Sequence, residues 1–196
     1  MRLGLYGGTF DPIHSAHIAV AEAAAIEFAL SKVLLIPNRI PPHKQDATGA
    51  SFKQRLRMVE LAVAGHPLLD ACDIERHEGK SYTIETLESL RSTYGASAHI
   101  FFIIGADAFA EAVTWHRAQE VFQLTEFIVA ARPGYEYETP AGAFVHRMDS
   151  LQFVESSTSM RASLAAGEMP GGLSPSVAQY IVSAGLYRKK GLVANE

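Results

Sequence analysis

The chain has 196 residues, 48% of them hydrophobic, and a formal net charge of -4 at pH 7, which predicts one buried core and a single domain over 1–196. The acidic balance argues against a surface for long nucleic acids, and no apolar run reaches the roughly 18 residues of a membrane span. Cys72 is the only cysteine, so neither an intrachain disulfide nor a four-cysteine metal site can form, and we expect a cytoplasmic protein.

Short apolar runs alternate along the chain with segments of helical length. The runs predict β-strands at 3–6, 33–36, 71–74, 100–104, 127–131 and 151–154. The intervening segments predict helices at about 14–30, 52–64, 83–94, 106–112, 116–123, 158–166 and 175–184. This alternation is typical of an α/β fold, and we expect a doubly wound, Rossmann-like, mostly parallel sheet with helices on both faces and a small C-terminal helical part.

Two long loops, at 37–49 and 134–142, follow predicted strands. Long loops at strand ends often carry functional residues. Because open parallel sheets bind ligands at the carboxyl edge of their strands, the segments that follow four strand ends are the expected places for a site. These strand ends are Tyr6, Ile36, Ile104 and Ala131.

The first predicted strand runs directly into the sequence Gly-Gly-Thr-Phe-Asp-Pro-Ile-His-Ser-Ala-His at 7–17. The two glycines permit a ligand to approach the backbone closely. His14 and His17 are three residues apart, so both imidazoles lie on one face of the first helical turn, where unpaired N–H groups and the positive end of the helix dipole also point. A triphosphate fits this place. The alternative is that the glycines only tighten a turn while the histidines cap and solvate a helix end.

Other ligand motifs are weaker in this sequence. Two histidines one turn apart could bind zinc, but there is no H-E-x-x-H and no third ligand at motif spacing, so no metal ligand is assigned. No G-x-G-x-x-G follows a strand. The run Gly79-Lys80-Ser81 is not a P-loop, because a P-loop requires glycine at the position of Ile74.

The first-turn sequence resembles the ATP motif of the nucleotidyltransferase superfamily that includes the nicotinate-mononucleotide, pantetheine-phosphate and cytidylyl transferases. The run Ser-Ser-Thr-Ser-Met-Arg at 156–161 resembles the S-S-T-x-x-R element of the same superfamily. Further segments are similar to the bacterial nicotinate-nucleotide adenylyltransferases. They are Pro-Asn-Arg-Ile-Pro-Pro-His-Lys at 37–44, Ser-Tyr-Thr at 81–83, Gly-Ala-Asp at 105–107, Trp-His at 115–116, Ala-Arg-Pro-Gly at 131–134, and Gly-Leu-Tyr at 185–187.

The resemblance implies adenylyl transfer from ATP to nicotinate mononucleotide, giving nicotinate adenine dinucleotide and pyrophosphate in NAD biosynthesis, with Mg²⁺ carried by ATP. The implied catalytic residues are His14, His17, Lys44 and Arg161. The implied ATP-binding residues are Gly7, Gly8, Thr9, Phe10, His14, His17, Gly105, Asp107, Ser156, Ser157, Thr158 and Arg161. The implied mononucleotide-binding residues are Thr9, Pro42, His43, Lys44, Tyr82, Thr83, Asp107, Trp115 and Arg132. Partners would be these two substrates, without nucleic acid or membrane, and a homo-oligomer is left open.

Two residues bear on the acceptor. Trp115, the only tryptophan, could stack on the pyridine ring, although a lone tryptophan can also be a core residue. Thr83 is a predicted N-cap, and the amides near it would face an anion. Nicotinate carries such a carboxylate and nicotinamide does not, which favours the deamidated substrate. The alternative is a helix cap with no ligand.

One position departs from the family pattern, which usually has glycine before the second histidine where this chain has Ala16. We expect the change to be tolerated, because alanine is small and favours a helix. Competing functions are a phosphopantetheine or nicotinamide-preferring adenylyltransferase, a module that senses a nucleotide without turnover, and a class I synthetase fragment. His14 argues against the phosphopantetheine enzymes, whose motif usually has threonine there.

Overall fold

The computed structural model describes residues 1–39, 49–76, 82–131, 134–149 and 156–188. Within these ranges the chain forms one sheet in which every neighbouring pair of strands is parallel. The strand order is β3-β2-β1-β4-β5-β6. The strands are β1 Arg2–Gly8, β2 Lys32–Pro37, β3 Leu69–Ala71, β4 His99–Gly105, β5 Glu126–Ala130 and β6 Phe144–Met148.

Helices follow most of the strands. They are α1 Ser15–Glu27, α2 Phe52–Val63, α3 Thr83–Tyr94, the short α4 Ala106–Phe109, α5 Ala118–Leu124, α6 Ser157–Ala165 and α7 Pro175–Ser183, with a single 3₁₀ turn at Ala112–Thr114. Local sequence explains several of their ends. Ser51 and Gln54 form a reciprocal capping box at the start of α2, and Ser174 caps α7 ahead of Pro175, the residue type that suits the first helical position. Among the described helices, none is both long and apolar enough to cross a membrane.

The core has two layers, one on each face of the sheet. Residues of α1, α2 and α7, such as Ala21, Met58 and Val177, pack on one face, and residues of α3 and α5, such as Leu87 and Phe122, pack on the other. Full burial of a large apolar side chain such as Met58 or Phe122 stabilises the fold by about 1.5–3 kcal/mol. The predicted doubly wound α/β fold with helices on both faces is therefore confirmed.

Two strand predictions need correction. The third strand is Leu69–Ala71 rather than 71–74, because the chain leaves the sheet before the apolar run ends. The strand Phe144–Met148 was not predicted, since it lies at the edge of the sheet, is mostly exposed or half-buried, and has no continuous apolar run. The predicted strand at 151–154 lies outside the described residues.

Two helix predictions also need correction. The helix predicted at 106–112 is divided into α4 and the 3₁₀ turn. The helix predicted at 14–30 ends at Glu27, because Ala29 adopts a left-handed conformation with φ of 47° and turns the chain toward β2.

The strand order places a topological switch point between β1 and β4. The chain builds outward from β1 through β2 to β3, and then returns to the centre with β4. Loops that leave the carboxyl ends of two such strands diverge to opposite faces and open a crevice, which is where doubly wound folds bind ligands. The crevice in this chain lies between the turn that follows Gly8 and the turn that follows Gly105.

Candidate active site

The turn after β1 has a tight backbone that depends on glycine. A Cβ atom added to Gly8 would lie 2.8 Å from the ring of Phe10, and Phe10 itself has a left-handed φ of 48°. The Phe10 ring is 1% exposed and packs edge-on against the rings of Tyr6 and His17. Phe10 is therefore a core residue, and a nucleotide at this turn would meet its backbone rather than its ring.

His14 and His17 form a pair at the start of α1. His14 is the N-cap, and the two ring centroids are 3.8 Å apart. The backbone N–H of His14 donates to Nδ1 of His17 over 3.3 Å, so a neutral His17 carries its proton on Nε2. Burial, together with the neighbouring His14 ring, lowers the pKa of His17 to about 3. The predicted placement of both rings on one helical turn is confirmed, and His17 is a neutral N–H donor near neutral pH.

Two buried charged side chains anchor the turn after β1. Arg55 of α2 is 0% exposed and donates to the carbonyls of Thr9 and Asn38, at 2.7 Å each. Asp11 is 2% exposed, and its carboxylate accepts from the N–H groups of residues 49 and 50 at 2.7 and 3.0 Å. Burial lowers the pKa of Arg55 and the charge of Asp11 opposes that shift. Together they tie the first turn to α2 and to the chain segment before it.

The start of α6 docks on the same turn. Ser156 caps the helix with its hydroxyl. Ser157 donates to the carbonyl of Pro12 over 3.0 Å, and Arg161 donates through Nη1 to the carbonyl of Asp11 over 2.7 Å. The S-S-T-x-x-R element and the first-turn motif, about 150 residues apart in sequence, therefore meet at one place.

A pocket of about 540 Å³ extends from the first turn toward α3 and the 3₁₀ turn. The Trp115 ring lies at one wall, half-buried, with its centroid 5.7 Å from that of Phe102. The ring of Tyr82 lies 4.7 Å from that of His116. The pocket walls are thus largely aromatic near the 3₁₀ turn, which suits a flat ring.

Most of the residues predicted for the site meet at this crevice. Gly7, Thr9, Tyr82, Thr83 and Trp115 line the pocket. Gly105 ends β4 beside β1, and Asp107 follows it in α4. The side chain of Thr158 accepts from Nη2 of Arg161 over 3.4 Å. Four further predicted residues, Pro42, His43, Lys44 and Arg132, lie outside the described residues.

The predicted role of Thr83 as an N-cap is wrong. The N-cap of α3 is Tyr82, and Thr83 is the first helical residue. The extended backbone of the cap is supplied one residue earlier, by Tyr82, with φ of −98° and ψ of 127°. Ala16 is 5% exposed and lies in the first turn of α1.

Further polar residues line the pocket that were not predicted for the site, among them Glu75, Thr86 and Glu111. Glu75 is 6% exposed and accepts from the Thr86 hydroxyl over 2.9 Å. Two signals could have found this pair. Glu75 directly follows an apolar run at the carboxyl edge, and Thr86 lies three residues after Thr83 on the same helical face.

The fold and the first turn define a class of protein. The chain has an open parallel sheet whose first strand leads into a helix that begins with two histidines. It belongs to the cytidylyltransferase-like proteins, because the model of that family matches residues 5–163.

Individual relatives narrow this class. A protein of Solibacter usitatus (strain Ellin6076), named "Probable nicotinate-nucleotide adenylyltransferase", is 44% identical over 187 residues, which cover 95% of this chain and 100% of that protein. One of the same name from Geobacillus thermodenitrificans (strain NG80-2) is 39% identical, with 99% and 89% coverage. The chain belongs to the nicotinate-nucleotide adenylyltransferase family.

A solved structure shares the fold. The nicotinic acid mononucleotide adenylyltransferase of Plasmodium falciparum, complexed with NaAD, superposes with a TM-score of 0.77, covering 95% of this chain and 97% of that one. The two sequences are 18% identical, so the likeness concerns the fold.

Proposed function

We propose that this chain, as one nucleotidyltransferase domain in the cytoplasm, transfers the adenylyl group of ATP to nicotinate mononucleotide and releases pyrophosphate. The observation that carries the proposal is the pairing of His14 and His17 at the switch point, next to a pocket of about 540 Å³ with an aromatic wall. The histidine pair suits a polyphosphate, and the pocket suits an acceptor that carries a flat ring. The family to which the chain belongs points to the same reaction.

The chemistry needs positioning more than proton transfer. A phosphate oxygen of the mononucleotide attacks the α-phosphorus of ATP, the bond between the α-phosphorus and its bridging oxygen breaks, and pyrophosphate leaves. Because the attacking phosphate is already anionic near neutral pH, no general base is required. The protein must hold repelling anions in line and neutralise the charge that develops on the leaving group.

The first turn and α6 supply suitable donors. The Nε2–H of neutral His17 can donate to a phosphate oxygen, and His14 lies beside it on the same turn. Arg161 has Nη1 bound to the Asp11 carbonyl and a side chain that is 34% exposed, so the guanidinium is both oriented and accessible to a triphosphate. Ser156, Thr158 and Lys44 complete the proposed phosphate contacts.

A divalent ion would accompany ATP, as is general for nucleotidyltransferases. Within the described ranges, no three His, Cys, Asp or Glu side chains come together around a metal position. The donors at the first turn are imidazoles, hydroxyls and amides, whereas Mg²⁺ prefers oxygen ligands and retains water. Mg²⁺ therefore fits as an ion carried by the phosphates, where it neutralises their charge.

The pocket supports nicotinate mononucleotide as the acceptor. The pyridine ring would stack on Trp115, and the nicotinate carboxylate would face the first turn of α3, whose N-terminal amides favour an anion. Glu75 also lines the pocket, and its carboxylate accepts a hydrogen bond from the Thr86 hydroxyl. A neutral carboxamide would gain less from the helix N-terminus, so the deamidated substrate is preferred.

The decisive experiment measures pyrophosphate release from ATP and Mg²⁺ with three acceptors supplied separately. These are nicotinate mononucleotide, nicotinamide mononucleotide and phosphopantetheine. We expect rapid release with the first alone. Equal rates with both pyridine nucleotides would refute the role of α3 in selecting a carboxylate, and no release with any acceptor, despite ATP binding, would favour a nucleotide sensor.

A further inference from the structure

Tyr187 lies beyond α7, far in sequence from the first turn, yet its hydroxyl reaches that turn. The hydroxyl donates to Oδ1 of Asp11 over 2.7 Å. The same carboxylate accepts from the N–H groups of Gly49 and Ala50. Asp11 therefore gathers three parts of the chain around one buried charge.

The ring of Tyr187 is fitted as closely as its hydroxyl. A Cβ atom added to Gly49 would lie 2.7 Å from Cε1 of Tyr187, so the ring rests directly on the backbone there. Tyr187 also adopts a left-handed φ of 62°. This conformation is unfavourable for a residue with a bulky side chain, and it persists only where the surrounding structure imposes it. Burial, followed by the hydrogen bond to Asp11, raises the pKa of the Tyr187 phenol, so the hydroxyl remains a donor.

Asp11 links this contact to the proposed phosphate site. Its backbone carbonyl holds Nη1 of Arg161, and His14 follows it three residues later in the same turn. A shift of Asp11 would therefore move both the guanidinium and the histidine pair relative to a triphosphate. The first turn contributes Gly7 and Thr9 to the pocket around Trp115, but Asp11, Arg161 and Tyr187 do not line that pocket.

We propose that Tyr187 is a positioning residue for adenylyl transfer, which fixes the first turn and Arg161 through its hydrogen bond to the carboxylate of Asp11. The inference rests on the proposed function. It gives the chain segment after α7 a part in binding ATP, which neither the first-turn motif nor the S-S-T-x-x-R element suggests.

The test compares Tyr187→Phe, which removes only the hydroxyl, with Val177→Ala, which opens a cavity under α7 where Val177 is 1% exposed. The control loses stability without touching Asp11. For Tyr187→Phe we expect kcat/KM for ATP to fall about tenfold, the size of one hydrogen bond to a charged group, while KM for nicotinate mononucleotide stays within twofold of the wild-type value (about the error of such comparisons). Val177→Ala should lower Tm by an amount similar to Tyr187→Phe. It should leave kcat/KM for ATP and KM for nicotinate mononucleotide unchanged.

Amide hydrogen exchange gives a second measurement. In Tyr187→Phe the amides of Gly49 and Ala50 should exchange faster, relative to the amide of Ile103 in β4, and in Val177→Ala they should not. An unchanged kcat/KM for ATP, an equal rise in KM for both substrates, or the same kinetic change in Val177→Ala would overturn the proposal.

The proposed function can fail separately. If the wild-type protein releases no pyrophosphate with any acceptor, the reaction is wrong, and the positioning role is then decided by calorimetric binding of ATP. Weaker ATP binding by Tyr187→Phe, about tenfold, would support the role of Tyr187, whereas wild-type affinity would overturn it.

Discussion

His17 is neutral at a place where a cation would attract a polyphosphate more strongly. Its lowered pKa has a physical cause in the crowded turn, where aromatic rings and His14 replace water. A neutral donor binds an anion less tightly in the ground state, but its N–H is oriented by the bond that Nδ1 accepts from the backbone of His14. Orientation of this kind favours charge that develops in the transition state.

Trp115 is the residue on which the acceptor site can be tested most directly. Trp115→Ala removes the ring that would stack on pyridine, so KM for nicotinate mononucleotide should rise about tenfold, the size of one aromatic stacking interaction, while KM for ATP stays near its wild-type value. Steady-state kinetics with each substrate varied in turn will measure the effect. Trp115→Phe, which keeps a smaller ring, should give an intermediate KM. An equal rise of both KM values would show that Trp115 supports the fold rather than the acceptor.

At the scale of elements, α3 depends on a hydrogen bond between two buried side chains. The Thr86 hydroxyl donates to Glu75, which fixes the first turn of the helix against the chain that follows β3. Arg55 does the same for α2 by holding the turn after β1. In each case a buried polar side chain has a hydrogen-bond partner at the edge of the pocket, where burial without one would be costly.

Thr86→Val should destabilise the protein by about 1–3 kcal/mol, because it keeps the shape of the side chain but removes a donor from a buried carboxylate. Urea denaturation will measure this free energy of unfolding. The same variant should raise KM for nicotinate mononucleotide, since α3 lines the pocket. Thr86→Ser retains the hydroxyl and should lie closer to the wild type in both measurements; if the two variants are equally stable, the hydrogen bond contributes nothing.

At the scale of the whole molecule, a cluster of one carboxylate and two histidines links three strands near their amino ends, on the side of the sheet opposite the site. Glu126 of β5 contacts Nε2 of His99 and Nε2 of His146, each at 2.6 Å, and so joins three neighbouring strands. Partial burial raises the pKa of Glu126, but the hydrogen bonds and charges of His146 and His99 outweigh it, so the net pKa is lowered.

This lowered pKa sets the direction of a pH dependence. The ionised Glu126 carboxylate stabilises the fold fully above the ordinary pKa of glutamate, 4.5. This stabilisation is lost as the pH falls through the lower pKa that Glu126 has in the folded protein. Between about pH 5 and pH 3, the wild-type free energy of unfolding should therefore fall more steeply than that of Glu126→Gln. Denaturation at several pH values will measure both slopes. Glu27→Gln, which removes an exposed carboxylate of α1, should follow the wild type, and parallel curves for Glu126→Gln would contradict the role of the cluster.

The sequence predicted the elements that have a strong local signal. Continuous apolar runs identified β1, β2, β4 and β5, because buried parallel strands are apolar on both faces. The edge strand Phe144–Met148 was missed for the opposite reason: Phe144 is 72% exposed, and the polar residues His146 and Arg147 interrupt its apolar run.

The residues of the candidate site also divide into those with a local sequence signal and those without one. His14, His17 and the turn around them follow from adjacent residues, and the resemblance to a family added the S-S-T-x-x-R element at the start of α6 and the Trp-His segment at 115–116. The contacts of Asp11 with Ala50 and Tyr187 span 39 and 176 residues, so no local pattern could predict them. Glu75 and Thr86 had a local signal, but only the fold shows that they meet.

The position of the single tryptophan makes the protein its own fluorescent reporter. Trp115 is the only indole in the chain and lies half-buried at the wall of the pocket that we propose for the acceptor. A pyridine ring that stacks on it will quench its emission, whereas ATP bound at the first turn leaves the indole largely undisturbed. Binding of the acceptor can therefore be followed separately from binding of ATP, in real time and without a label.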